Sequence, residues 1–416
     1  MSERHLPVRP SLNQLKHQAK DLLCFLHQGD VSAIADLQQY HSKNLSPADA
    51  KLSDAQLILA RSYGNASWPR LVLSCRLIDA IWKDDVTTVR ELILKNPRLL
   101  NDNARGTEHC NWGPPMSYAA NLGRDQIIDM LHGLGAEDMQ KALDRAILQS
   151  RIDTARKLFA MGARPEPGAI MGPAETQSGK GMAFLLELGA EIADEKGDRL
   201  APVGLLLETY CRNPSGKHQC LELLVEHGIE LPDTPVFAVH RGRVDLLEAH
   251  FRRDPSILNR TYSHRDIYPL ELGCHEDETL ALNGTPPAGG TLLHLCVDGD
   301  EMEIAQWLID HGADVNARSA IDADGFGGHT ALFGCVVSQT YIGGPRKDDA
   351  FARLLLDNGA EPNARASIRK ALRFVEDESM HEYRDVTPLG WGQQFHNKQW
   401  VNPSVMKLIE ERGGRI

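Results

Sequence analysis

Residues 289–318, GGTLLHLCVDGDEMEIAQWLIDHGADVNAR, constrain the fold of this chain more than any other stretch. Thr291 stands where its hydroxyl can accept a backbone N–H at the first turn of a short helix. A break at residues 298–300 separates that helix from a second one, whose apolar residues recur at helical spacing. Gly312 is predicted to end the second helix in the left-handed conformation. Because two such helices cannot bury their shared apolar face alone, the stretch predicts one unit of a stacked array.

This unit resembles the ankyrin repeat, whose pattern runs Gly-x-Thr-Pro-Leu-His, two helices and then Gly-Ala-Asp-x-Asn. Leu292 replaces the usual proline, and the glycine between the helices is displaced to Gly299. The resemblance implies an all-α fold, namely an ankyrin-type helical repeat solenoid with an N-terminal helical cap and a few extended finger loops. The positions that match the pattern are Gly289, Thr291, Leu293, His294, Glu303, Ile304, Leu308, Gly312, Ala313, Asp314 and Asn316.

Glycines that could end helices recur before this unit, at Gly135, Gly162, Gly189 and Gly228. Their spacings of 27, 27 and 39 residues depart from the ordinary ankyrin period of about 33. The short spacings leave room for two helices but little for a finger. We therefore interpret residues 77–260 as degenerate ankyrin-type repeats.

The remaining segments differ from this middle part. Residues 261–288 lose the helical period and are rich in Gly and Pro, which predicts a long loop. Residues 289–416 are interpreted as better-matched repeats closed by a C-terminal cap. Residues 1–76 lack the pattern and resemble the helical leader that precedes ankyrin repeats in various bacterial proteins. We expect this leader to cover the open end of the stack.

Composition restricts the class of partner. The chain has 416 residues and a formal net charge of −12, which disfavours general binding to nucleic acid or to an anionic membrane. No apolar run approaches the length of about 20 residues that spans a bilayer, and the N-terminus has no secretory signal pattern. The eight cysteines show no CxxC spacing, which favours reduced thiols and a cytoplasmic location.

No motif in the sequence predicts catalysis, a cofactor or a bound metal. His294 is interpreted as a local hydrogen-bonding residue that ties neighbouring repeats together, as the family resemblance implies. Asp322-x-Asp324-Gly325 resembles the start of a calcium loop, but its position 12 is Phe333 instead of Glu, so a turn is predicted. A set of possible zinc ligands lacks the repeated short spacings of a structural zinc site: His264, Cys274, His275, His294 and Cys296.

Recognition of another protein is the function that remains. Rigid scaffolds present binding residues on loops, and the resemblance implies that finger tips and first helices contact a partner. The candidate partner-binding residues are Arg318, Asp322, Asp324, Phe326 and His329 in one finger, with Tyr341 and Trp112 as further candidates. Phe326 either anchors an interface from an exposed position or folds back onto its own stack, because an aromatic ring gains by burial.

We therefore predict a non-enzymatic protein–protein interaction scaffold of the bacterial cytoplasm, acting through a concave face and its finger loops. The acidic balance favours a partner with a basic patch. One alternative is a metal-dependent regulator or enzyme that uses the His- and Cys-containing residues 260–296. A second alternative is a secreted effector directed at a host.

Overall fold

The computed structural model describes residues 4–41, 45–107, 111–338, 340–341, 344–345 and 348–416, with only the backbone described for residues 340–345 of that set. Helices account for 55% of the chain, and the described strands form small two-stranded pairings. The predicted all-α fold class is therefore confirmed. None of the described helices is both long enough and apolar enough to cross a membrane. The chain divides into two compact units, unit 1 (Met1–Pro165) and unit 2 (Glu166–Ile416).

Unit 1 is entirely helical in its described part. Two short 3₁₀ helices, Pro47–Asp49 and Pro97–Leu100, interrupt the α-helices. The α-helices are α1 (Leu12–His27), α2 (Val31–Tyr40), α3 (Leu52–Ser62), α4 (Trp68–Trp82), α5 (Val86–Lys95), α6 (Pro115–Leu122), α7 (Asp125–Gly133), α8 (Met139–Leu148) and α9 (Ile152–Ala160).

The N-terminal helices of unit 1 share one apolar core. The hydroxyl of Ser11 accepts the Gln14 N–H, which begins α1 at the predicted residue. Leu15, Leu22 and Leu26 on one face of α1 are buried against residues of α2 and α3. Helices α4, α6 and α8 then pack in series, as do α5 and α7. Each helix pair thus buries its apolar stripe against the next pair, which is the packing that a repeat array requires.

Unit 2 combines helix pairs with two small antiparallel pairings of strands. Its 3₁₀ helices are Pro255–Leu258, Leu270–Leu272 and Lys398–Trp400. Its α-helices are α10 (Met171–Glu175), α11 (Gly179–Glu187), α12 (Ala201–Glu208), α13 (Pro214–Glu226), α14 (Pro235–His240), α15 (Val244–Arg253), α16 (His264–Ile267), α17 (Leu292–Gly299), α18 (Met302–Asp310), α19 (Ala331–Val336), α20 (Ala350–Asp357), α21 (Pro388–Gln394) and α22 (Pro403–Glu411). Its strands are β1 (Thr340–Tyr341), β2 (Gly344–Pro345), β3 (Ala366–Lys370) and β4 (His381–Val386).

The first helices of successive pairs in unit 2 lie side by side. Helix α14 packs on α17, α17 on α19, and α19 on α21. These helices are short and almost wholly apolar; Leu292, Leu332 and Trp391, for example, are buried. Because every face of such a helix is covered, its stability depends on both neighbours being in place.

The boundaries of the helix pair in residues 289–318 follow local signals in the sequence. Thr291 precedes α17, and Gly312 follows α18 with φ of 94°. The break between the helices differs in one respect from the expectation. Helix α17 runs through Gly299, and the left-handed residue that ends it is Asp300, with φ of 62°. Aspartate tolerates this conformation better than most residues do, so no glycine is needed at that position.

Candidate functional site

The predicted finger of residues 318–329, called finger A below, is a tight hairpin. Its ends are joined by hydrogen bonds from the Ser319 N–H to the His329 carbonyl (2.9 Å) and from the Gly328 N–H to the Ser319 carbonyl (3.2 Å). At the tip, one Asp322 carboxylate oxygen accepts the N–H groups of Asp324 and Phe326. These backbone donors lower the pKa of Asp322. The predicted turn at Asp322–Gly325 is thus formed by a side chain that holds its own loop.

The next finger, residues 364–386 (finger B), is a β-hairpin that pairs with finger A. Strands β3 and β4 are antiparallel, with Ile368 opposite Tyr383. The Gly327 N–H of finger A donates to the Ser367 carbonyl of finger B (2.6 Å), and the Ser367 N–H donates back (3.2 Å). Gly327 has φ of 123°, and a Cβ there would lie 2.0 Å from the Ala320 carbonyl oxygen. Only glycine therefore allows the two sides of finger A to approach so closely at the residue that pairs with finger B.

Phe326 lies beneath the ion pairs that join the two fingers. Its side chain is only 5% exposed, with the guanidinium groups of Arg369 and Arg384 over its ring at 5.1 and 4.3 Å. Arg369 also pairs with Asp322 (2.7 Å) and Asp324 (3.0 Å). Of the two interpretations of Phe326, the structure shows the one in which the ring folds back. The ring gains by burial and by contact with two cations.

His329 is buried, although the sequence placed it among the candidate partner contacts. Its Nδ1 hydrogen bonds with the Ser319 hydroxyl (2.9 Å), and its Nε2 donates to the Pro286 carbonyl (2.9 Å). His294 in the preceding unit donates from Nε2 to the His329 carbonyl, and its Nδ1 accepts the Thr291 N–H. The expected tie between neighbouring repeats is therefore present at His294. His329 reaches back to Pro286, just before the repeat that contains His294, and both of its ring nitrogens are used within the chain.

The charged candidates of finger A remain at the surface. Arg318 is exposed, and its guanidinium donates to the carbonyls of Gly328 (3.1 Å) and Arg365 (2.7 Å). Asp322 and Asp324 are exposed as well, and they share Arg369. These three side chains strengthen the contact between the fingers and can still meet another molecule.

The two further candidates lie outside the described side chains of unit 2. Trp112 belongs to unit 1, where its half-buried ring stacks on Trp82 (6.3 Å between centroids). Tyr118 contacts the same ring at a tilt (4.7 Å), with Arg145 nearby. The side chain of Tyr341 lies outside the described residues.

Exposed apolar side chains on the fingers were not predicted from the sequence. Ile321 in finger A is 67% exposed, and Phe374 and Met380 in finger B are 78% and 54% exposed. Phe374 also has φ of 62°, an uncommon conformation for a large residue. The signal that was available is an aromatic and a methionine inside a charged, loop-like stretch after residue 370.

The possible metal ligands of residues 260–296 are directed into separate contacts. Nε2 of His264 donates to the His275 carbonyl, and His275 pairs with the buried Glu208 (2.7 Å). Burial raises the pKa of the thiols of Cys274 and Cys296. Across the described ranges, no three His, Cys, Asp or Glu side chains are grouped so that they could hold a metal ion.

Comparison with known proteins agrees with the geometry of unit 2. No curated protein matches the sequence. The family model described as Ankyrin repeat matches residues 288–320, which cover α17, α18 and the start of finger A. The chain therefore carries an ankyrin repeat at residues 288–320, from which finger A extends.

Proposed function

We propose that fingers A and B together form a binding surface for another protein. The observation that carries the proposal is the exposure of Ile321, Phe374 and Met380 on two loops that are held to each other. Large apolar side chains on a rigid support are typical anchors of protein interfaces. An ankyrin repeat is also typically a binding element and not a catalyst, which supports the same function.

The charge of unit 2 indicates the kind of partner. Unit 2 contains 24 Lys and Arg residues against 39 Asp and Glu, whereas unit 1 contains 21 against 18. The excess of acidic over basic residues thus lies in the unit that carries the fingers. A partner with a basic surface would be attracted to it, and this attraction weakens as salt screens the charges.

The test compares two triple serine variants of the full-length protein. The first replaces Ile321, Phe374 and Met380. The matched control replaces three exposed apolar residues of unit 1, namely Phe25, Val31 and Leu94. Each protein is immobilised and the proteins captured from a native extract are quantified. We expect the wild-type protein and the control to capture the same basic protein in similar amounts, and the finger variant to lose most of it.

The dependence on salt gives a second readout. Capture by the wild-type protein is expected to fall as the salt concentration rises from about 0.05 to about 0.5 M. Equal capture by the finger variant and the wild-type protein would show that the fingers do not form the binding surface.

A further inference from the structure

A small cavity in unit 2 carries an inference that goes beyond protein binding. The cavity has a volume of about 90 Å³ and lies between finger B and the segment of residues 264–288. Polar side chains that line it include Tyr268, Asn283, Lys370 and the exposed Glu278. Pro287 and Met380 form part of its apolar wall. By the same measure about 10–15 Å³ is enough to admit one water molecule, so the cavity has room for a ligand of a few heavy atoms.

Lys370 places a buried ammonium group at this cavity. The residue lies on β3 and is only 5% exposed, and its ammonium group donates a hydrogen bond to the Asn283 amide oxygen (3.0 Å). No carboxylate of the described residues forms an ion pair with the ammonium nitrogen, although Asp298, Glu278 and Asp277 are near enough to favour its charged form. An ammonium group has three donors, and burying a cation without an anion beside it is costly.

Tyr268 adds a second hydrogen-bonding group that the fold leaves unused. Its side chain is 3% exposed and packs against the rings of His240 and His264. Its hydroxyl makes no hydrogen bond within the described part of the chain, although a buried tyrosine usually finds a partner for this group. The cavity is thus lined by two buried groups, an ammonium and a phenol, that both can donate.

We propose that this cavity binds a short-chain monocarboxylate, whose oxygens accept hydrogen bonds from Lys370 and Tyr268. The carboxylate of such a ligand can contact the ammonium directly, which the nearby protein carboxylates do not, and can accept from both donors. The apolar wall formed by Pro287 and Met380 suits a methyl or ethyl group, so acetate and propionate match both the size and the chemistry.

Binding is expected to depend on pH because the cation is buried. Loss of hydration lowers the pKa of Lys370 to about 8. Above that pH the amine is neutral and attracts an anion less, so affinity falls by up to about tenfold per pH unit. The other charged or titratable groups near Lys370 are Asp277, Glu278, Asp298, Arg212, Arg369, His264, His381 and His396.

The experiment titrates ¹³C-labelled acetate into the full-length protein at pH 7 and follows binding by NMR line broadening. Chloride, added at the same ionic strength to compete with acetate, is the reference for non-specific anion binding. We expect the wild-type protein to bind acetate, Lys370→Met to weaken binding at least tenfold, and Tyr268→Phe to weaken it about two- to tenfold through the loss of one hydrogen bond.

Lys407→Met is the matched control, because Lys407 is an exposed lysine of α22 that pairs with Glu411 on its own helix. This variant should keep the wild-type affinity, and circular dichroism should show that every variant is folded. The proposal is overturned if acetate binds the wild-type protein no better than chloride does, or if Lys370→Met binds acetate as tightly as the wild type. If Lys370→Met does not fold, an unchanged acetate affinity of Tyr268→Phe overturns the proposal instead.

Discussion

Buried imidazoles connect neighbouring repeats in unit 2. His294 receives the Thr291 N–H and donates to the carbonyl of His329, which in turn donates to Pro286. Burial lowers the pKa of His294 to about 4 and that of His329 to about 3. Both rings therefore stay neutral at physiological pH, and each ring nitrogen has one defined role as a donor or an acceptor.

Replacing His294 with Ala should destabilise unit 2 by about 2–4 kcal/mol, because two buried backbone groups lose their partner and a cavity remains. The pH dependence should change as well. Between pH 6.5 and about 4, the unfolded chain binds protons that the folded His294 does not bind, so wild-type stability falls as the pH falls. In the variant, the free energy of unfolding should depend on pH less steeply, by the equivalent of about one bound proton. Urea unfolding at pH 7 and pH 4.5 measures both effects.

His132→Ala serves as the control, because His132 is exposed at the end of α7. This variant should keep the wild-type slope and nearly the wild-type stability. An unchanged slope in His294→Ala would contradict a neutral, buried His294.

At the scale of elements, fingers A and B form one supporting structure. Backbone pairing at Gly327 and Ser367 joins them, and Arg369 connects both aspartates of finger A to β3 above the ring of Phe326. Each exposed ion pair contributes little by itself. Together with the covered ring, they restrict the motion of a loop that has few apolar contacts of its own.

Arg369→Ala should loosen finger A without unfolding the stack. Hydrogen exchange of residues 319–329 is expected to rise severalfold, while exchange in α17 and α18 stays at the wild-type rate. Arg353→Ala removes a comparable exposed pair within α20 and should leave finger A unchanged. Equal exchange of finger A in both variants would show that Arg369 does not restrict it.

Gly327→Ala tests the close approach of the two sides of finger A at the residue that pairs with finger B. The control is Gly325→Ala, which also has a positive φ (84°) but has open space where the new Cβ would lie. A positive φ costs an alanine about 1–2 kcal/mol, and only Gly327→Ala adds a collision with the Ala320 carbonyl. Urea unfolding should therefore show a clearly larger loss for Gly327→Ala, and equal losses would contradict the close approach.

At the scale of the whole molecule, charge is distributed unevenly along the chain. Unit 2 carries an excess of 15 acidic residues, whereas unit 1 carries an excess of 3 basic residues. Like charges repel within a compact unit and lower its stability, and salt screens this repulsion.

Salt should therefore stabilise unit 2 more than unit 1. Hydrogen exchange followed by mass spectrometry, at a urea concentration that partly unfolds the protein, reports each unit through its own peptides. Adding about 0.5 M NaCl is expected to slow exchange in peptides of residues 166–416 more than in those of residues 1–165. The same response in both units would contradict a role for the charge excess.

Local signals allowed the helical part of the fold to be predicted. Thr291, Gly312 and the apolar spacing between them define a helix pair whose conformation depends on residues within a few positions, and the role of His294 was predicted together with them. This helix pair differed from the prediction at the break, where the left-handed residue is Asp300 and not Gly299. The expectation of stacking followed because such a pair cannot bury its apolar face by itself.

The surface and the cavity, in contrast, depend on contacts between residues that are distant in sequence. Phe326 is covered by Arg369 and Arg384, and Lys370 meets Asn283 across 87 positions of the chain. The sequence alone determined an array of short helices with fingers, because helix signals act over a few residues. Only the tertiary structure decided which finger side chains are buried and where a buried ammonium group meets an amide oxygen, because burial depends on which distant segment packs alongside.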